Sequence, residues 1–356
     1  MRAILLGGGI ALLISLLGTR VAINAFTKLG YGQEIRDDGP TSHHTKRGTP
    51  TMGGVVIILA AVVGYFAAKL ITLTTPSASA MLLLFLFVGM GLVGFLDDFI
   101  KIYKQRSLGL RSKAKMAGQT VIALVFGWLA LSPLLEDEHG RTPASEKVSF
   151  LRELDWFVLP TILAIALIWL FVAGFSNAVN LTDGLDGLAA GASVMVFGAY
   201  TLVNIWQNNQ FCQEDPSATC YNVRDPLDLA IIGAAITGAC FGFLWWNASP
   251  AKIFMGDTGS LALGSALAGF AILTRTELLL VVLGGLFVLE TVSVMLQVGF
   301  FKLTKGRRIF RMAPIHHHFE MLGWEQVTVV IRFWIITGLF VATGLGIFYA
   351  EWVSRL

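Results

Sequence analysis

Charge is scarce in this sequence. Only 14% of its 356 residues are Asp, Glu, Lys or Arg, where an ordinary soluble domain carries about 25%. So little charge excludes a disordered chain, which needs many charges and few apolar residues, and most soluble enzymes. Cysteine is scarcer still, at three residues, which excludes a disulfide-built secreted scaffold. Neither sign dominates: 26 Lys and Arg stand against 23 Asp and Glu, a formal +3, so no nucleic-acid partner is indicated. What the chain has in excess is apolar sequence, 55% of its residues, with a mean hydropathy of +0.71. The apolar residues come in continuous runs instead of alternating, so they predict helices and not barrel strands. The fold class is an all-α integral membrane protein. No internal repeat or low-complexity linker divides it, and residues 1–356 read as one polytopic membrane domain.

Apolar runs of about 17–25 residues cross a bilayer as helices. Ten are found, at 3–27, 51–73, 80–100, 114–133, 157–175, 187–206, 228–246, 259–274, 278–301 and 330–352. The first is too long for a signal peptide, has no convincing small-residue cleavage site and is followed by nine more. Sixteen Lys and Arg fall in the odd-numbered loops and eight, counting Lys69, in the tails and even-numbered loops. Positive loops stay in the cytoplasm, so both termini are expected outside and the odd loops inside. The acidic stretch Glu136, Asp137 and Glu138 then falls outside, which agrees. Cys212 and Cys220 share an external loop, where a disulfide and two free thiols both remain open. Cys240 lies in a run and reads as packing.

An ionisable residue in or beside a span is costly and marks function by default. Four polar clusters stand out, all on the cytoplasmic side of this topology. The first is Asp97, Asp98 and Lys101 at the end of the third run. Paired carboxylates there attract a divalent cation; the plain alternative is an interfacial cap paired with Lys101. Helix neighbours point about 100° apart, so one carboxylate is expected to face an ion and the other to orient or serve a second substrate. The second cluster is NAVNLTDGLDG, Asn177 to Gly187, which holds no Lys or Arg. Asp183 and Asp186 are three apart and share a face on a helical turn; a helix cap by Thr182 or Asp183 is compatible with a site there. The third is WWNASPAKIFMGDTGS, Trp245 to Ser260. It offers a carboxylate (Asp257), an amide (Asn247), a cation (Lys252) and a ring (Phe254), with Asp257 just before the eighth run. A helix N-terminus beside a carboxylate favours phosphate, with Mg2+ bridging the two.

The fourth cluster is Pro314 to Glu320, PIHHHFE, in the longest basic loop. Three consecutive His cannot all converge on a tetrahedral zinc, so imidazole contact with phosphate or sugar is the better reading. A further basic stretch, Arg106 to Lys115, reads as topology, anionic-lipid attraction and phosphate neutralisation together. Glu290 lies deep in the ninth run and is read as a buried hydrogen bond or a protonated acid, outside the site. Several acids, several cations, one stacking ring and no Ser or Cys spaced to a His are the equipment for Mg2+-assisted phosphoryl transfer. One substrate should be a soluble diphosphate and the other a lipid phosphate.

TPTMGG (Thr49 to Gly54), Asp97-Asp98 with Lys101, NLTDGLDG, NASPAKIFMGDTGS and PIHHHFE together resemble the phospho-N-acetylmuramoyl-pentapeptide transferase family. That family is a branch of the polyprenyl-phosphate N-acetylhexosamine-1-phosphate transferases of the bacterial cytoplasmic membrane. The likeness runs from about Arg36 to Glu320, and the external loop 134–156 is not matched by it. The resemblance implies that UDP-N-acetylmuramoyl-pentapeptide reacts with undecaprenyl phosphate to give lipid I and UMP. It implies that Asp257 ligates Mg2+ and that Asp97, with Asp98, deprotonates or orients the lipid phosphate. Lys46, Asn180, Asp183, Asp186, Asn247 and Phe254 would form the nucleotide side, and Lys101 and Lys113 would contact phosphates. His316 and His317 would serve the diphosphate–sugar region, with Thr51 and His318 also binding substrate. Gly-rich spans permit close helix contacts, and the resemblance implies a homodimer in the lipid bilayer.

Three alternatives compete. Another superfamily member would take a different UDP-sugar, against which PIHHHFE argues. A CDP-alcohol phosphotransferase would place an Arg shortly after a D-G pair, and none follows Asp186-Gly187. A transporter would show a repeat and acids near the bilayer midplane, where only Glu290 lies.

Overall fold

The structure is a computed structural model and describes residues 1–30, 32, 48–105, 109–212, 217 and 219–355. Among the described residues, ten helices are long and apolar enough to cross a membrane. They are α1 (Arg2–Lys28), α2 (Gly54–Thr72), α3 (Ala78–Tyr103), α4 (Ser112–Leu131), α5 (Thr161–Thr182), α6 (Leu188–Asn209), α7 (Pro226–Asn247), α8 (Gly256–Leu273), α10 (Gly285–Leu303) and α12 (Gln326–Val353). Two short helices, α9 (Glu277–Leu283) and α11 (Ile315–Glu320), complete the set. The chain is thus a multi-pass membrane protein, all-α among the described residues apart from one hairpin, β1 (Lys147–Ser149) and β2 (Glu153–Val158).

Local chemistry sets the boundaries. The hydroxyl of Ser77 accepts from Ala80 N at the start of α3, and Pro226 opens α7, where a missing N–H costs nothing. The run expected at 157–175 is displaced, because 153–158 forms a strand and α5 begins after Pro160. Its end moves accordingly to Thr182, so Asn177 and Asn180 sit on the last turns of a helix and not in a loop. The run at 278–301 is two helices, parted at Gly284.

The short run at 259–274 proves to be the hub. α8 starts earlier, at Gly256, and every residue from Thr258 to Leu273 is buried. Its small residues admit neighbouring backbones: a Cβ on Gly54 would lie 2.1 Å from Gly259 N, and one on Gly264 would lie 2.2 Å from Phe175 O. Low hydropathy in a helix wrapped by protein needs no lipid-facing side chains.

The end of the bundle away from the acid clusters is tied by polar contacts. Lys69, counted above with a loop, lies in α2 and forms a buried ion pair with Asp228 at 2.7 Å, to which Tyr65 Oη donates at 3.0 Å. Cys212 and Cys220 are disulfide-bonded. Arg152 in the hairpin turn donates to Thr219 O at 2.6 Å and to Glu351 Oε1 at 3.0 Å, joining hairpin, disulfide loop and α12.

Candidate active site

Four helix ends meet opposite that tied end. Asp97, Asp98 and Lys101 lie on the last turns of α3, Asp257 in the first turn of α8, Asn180 near the end of α5 and Lys115 in the first turn of α4. Gly94 lets α8 dock on α3: a Cβ there would meet Asp257 O at 2.1 Å. Asp98 fills the gap by capping α8, accepting from Asp257 N at 3.1 Å, Thr258 N at 2.9 Å and Thr258 Oγ1 at 2.7 Å. A carboxylate on free N–H groups at a helix start is favourable in both charge and hydrogen bonding. Asp97 accepts from Leu110 N at 2.8 Å. Asp257 accepts from Asn180 Nδ2 at 2.7 Å, and the same amide nitrogen reaches Ser260 Oγ at 2.9 Å.

One carboxylate oxygen each from Asp97, Asp98 and Asp257 lies within 4.8 Å of the others. This corrects the expectation that only one of the adjacent pair could face an ion. Successive side chains do leave α3 in different directions, but α8 docks between them, so both converge on its first turn. Lys101 Nζ stands in the midst, 2.6 Å from Asp97, 3.4 Å from Asp98 and 2.9 Å from Asp257. Lys115 Nζ adds a contact to Asp257 at 2.6 Å. The donors are hard oxygens, the kind a divalent cation such as Mg2+ takes, and an ammonium group already occupies the point they share. Three carboxylates outnumber two ammonium groups, so the cluster retains an appetite for positive charge.

Around this cluster the other expected residues fall into two kinds. Some stitch loops together. Asp186 Oδ2 accepts from Ala251 N at 3.1 Å. Asn247 is buried, accepts from Gly187 N at 3.2 Å and donates to Ile253 O at 2.9 Å. Gly187 carries φ +79°, which suits glycine alone at little cost. The 183–187 turn is thereby fastened to the 247–253 loop. Thr51 is buried, its hydroxyl beside Gly256. Phe254 is half-buried, with its backbone held on both sides: its N–H donates to Pro50 O at 2.8 Å and its carbonyl accepts from Gly53 N at 2.9 Å. TPTMGG and the Asp257 loop are therefore one structural unit.

Asp183 and the three histidines remain. Asp183 caps the end of α5; burial first, then the negative charges of Asp257 and Asp98, push its carboxyl well above the ordinary range. His317 Nδ1 lies 2.7 Å from Glu320 Oε2. His318 Nδ1 accepts from Arg311 N at 3.1 Å. His316 is wholly buried, 3.1 Å from Glu290 Oε2. A wholly enclosed ring has no surface to offer a ligand, so the direct role expected of His316 is not what its position supports.

Lys113 is exposed on the first turn of α4, beside Met116, Ala117, Thr120 and Val121, and is not brought to the cluster. Lys115 is brought there instead. The signal was present in the sequence: Lys115 lies on the same i, i+4 stripe as Gln119, Ala123, Phe126 and Ala130, which are the buried face of α4. Glu290 was read as buried, but its mate could not be named, because His316 comes from a separate helix, α11. Lys46 lies outside the described residues.

Comparison with known proteins points the same way. The model of glycosyl transferase family 4 matches residues 80–275, which include Asp97, Asp98 and Asp257. A phospho-N-acetylmuramoyl-pentapeptide-transferase signature matches residues 46–58. The phospho-N-acetylmuramoyl-pentapeptide-transferase of Nocardioides sp. is 77% identical over 364 residues, covering 100% of both chains. Those of Cutibacterium acnes, 60% identical with 99% of each chain covered, and Streptomyces avermitilis, 58% identical with 100% of this chain and 99% of the relative covered, are also similar.

Proposed function

The chain belongs to the phospho-N-acetylmuramoyl-pentapeptide-transferase family, glycosyl-1-phosphate transferases, and on that premise we propose what it does. It transfers phospho-N-acetylmuramoyl-pentapeptide from its UDP-linked precursor to undecaprenyl phosphate, forming lipid I and UMP with Mg2+ as cofactor. It does so as a homodimer in the bacterial cytoplasmic membrane, with termini outside and the acid cluster at the cytoplasmic face. The observation that carries the reading is the meeting of Asp97, Asp98 and Asp257 with Lys101 and Lys115 at one end of the bundle.

Asp257, with Asp97 and Asp98 beside it, would hold the Mg2+ as Lys101 Nζ turns from them to the diphosphate; when bound the ion supplies neutralisation of phosphoryl oxygens. The second ionisation of a phosphate monoester lies near about pH 6, so the lipid phosphate needs no strong base. Asp97, on the last turns of α3, orients it. A lipid phosphate oxygen attacks the sugar-linked phosphorus in line; its new P–O bond forms as the bond to the uridylyl oxygen breaks. Lys101 and Lys115 offset the charge gathering on the diphosphate, and UMP departs as an anion. Asn180 keeps Asp257 turned into the site. Asp183 and Phe254 border the nucleotide, on a surface that Asp186 and Asn247 hold in shape. A direct displacement is preferred to an aspartyl-phosphate intermediate, because the ionised lipid phosphate is itself a nucleophile.

The test is purified protein with undecaprenyl phosphate, Mg2+ and a panel of UDP-sugars, measuring UMP. Release only with the muramoyl-pentapeptide nucleotide supports the reading. Release with another UDP-sugar alone moves the chain's substrate elsewhere in the superfamily.

A further inference from the structure

Glu290 lies in the second turn of α10 and has no exposed surface. Its Oε2 approaches His316 Nδ1 at 3.1 Å, and His316 is equally enclosed. None of the four polar atoms of this pair makes an aligned hydrogen bond. Such a pair inside a membrane protein is costly to bury, and packing alone would be better served by apolar residues.

The far side of the imidazole shows what the pair does. A Cβ on Gly184 would lie 2.4 Å from His316 Nε2 and 3.4 Å from His317 Nε2. The His316 and His317 rings sit 4.2 Å apart, centroid to centroid. Gly184 follows Asp183 in the acidic turn, whose Asp186 and Gly187 are fastened to the 247–253 loop. Glu290 therefore bears on the acidic turn through one enclosed ring.

We propose that Glu290 is a positioning residue: by holding His316 it fixes the 183–187 turn that forms the nucleotide side of the site. The inference rests on the transferase reading above. His316 transmits the placement, and the less buried His317 beside it is the imidazole left to meet substrate.

The experiment uses the full-length protein with undecaprenyl phosphate and the UDP-substrate, each titrated separately, alongside calorimetric UDP-substrate binding and thermal melting. Glu290→Ala should raise KM and Kd for the UDP-substrate about tenfold or more, since a buried pair that loses one member is left uncompensated. KM for undecaprenyl phosphate should stay within about twofold, a split that general loosening would not give. Glu290→Gln keeps the shape and an acceptor for His316 and should restore most of the UDP-substrate affinity. Gly184→Ala drives a methyl against the ring from the other side and should give the same selective rise, which covers the case of a poorly folding Glu290→Ala. Normal UDP-substrate binding in Glu290→Ala or Gly184→Ala, equal loss for both substrates, or no recovery in Glu290→Gln overturns the proposal. Wild-type protein that releases no UMP overturns the transferase reading instead, so the two failures are distinct.

Discussion

Replacing Lys115 with Met removes an ammonium group 2.6 Å from Asp257 Oδ2 while keeping most of the aliphatic stem. The two side chains are 19% and 14% exposed, so solvent screens the pair only in part. A hydrogen bond to a charged group is worth about 1.5–3 kcal/mol, which is about 10- to 150-fold if it is lost from the transition state. The lower part of that range is expected, because Lys101 Nζ still holds the same oxygen at 2.9 Å. Lys113→Met is the internal control: same charge change, same helix, two residues and about 200° away. Because Lys113 is exposed and faces away from the cluster, its loss should leave kcat and the UDP-substrate KM within about threefold. UMP release at saturating lipid, with thermal melting to confirm folding, reads both variants. If Lys113→Met costs as much as Lys115→Met, the buried-stripe argument for Lys115 is refuted.

Asp257→Asn removes a charge where Mg2+ and the diphosphate meet, and should cut turnover by about a hundredfold or more while the protein stays folded; near-normal turnover with unchanged Mg2+ dependence sinks the assignment. Phe254→Ala should weaken UDP-substrate binding about 5- to 150-fold, if the 1–3 kcal/mol of base stacking applies, and spare undecaprenyl phosphate. Asp97→Asn should keep UDP-substrate binding and lose turnover; calorimetry beside steady-state titration decides whether these two halves are assigned correctly. Single cysteines at Glu138 and Asn209, both exposed, should label from outside, and ones at Lys104 and Arg307 only after permeabilisation; outside labelling at Lys104 reverses the topology.

Much of the architecture was legible because a bilayer constrains sequence so strongly. Each span must satisfy its own backbone and face lipid, so length and hydropathy alone locate α1 to α4. The places where the runs misled have local causes. A strand took 153–158, a glycine parted α9 from α10, and the polar first turn of α8 hid its start at Gly256. The disulfide needed geometry, since nothing in a spacing of eight residues decides whether two thiols meet.

For the site, sequence determined which residue types collect at which helix ends, since ionisable groups beside apolar runs are too costly to be incidental. Asp97, Asp98, Asp183 and Asp257 all stood out that way, in motifs with their own identity. Only the tertiary structure decided how they are used. It docked the first turn of α8 between two carboxylates that a lone helix would splay apart. It turned Lys115 inward and Lys113 outward on the same helix, and made Asn247 and Asp186 braces for a turn. It also enclosed His316 against Glu290, 26 residues away on another helix. Periodicity is local and is written along one helix. Convergence is set by how helices cross, which depends on side chains far apart in the chain.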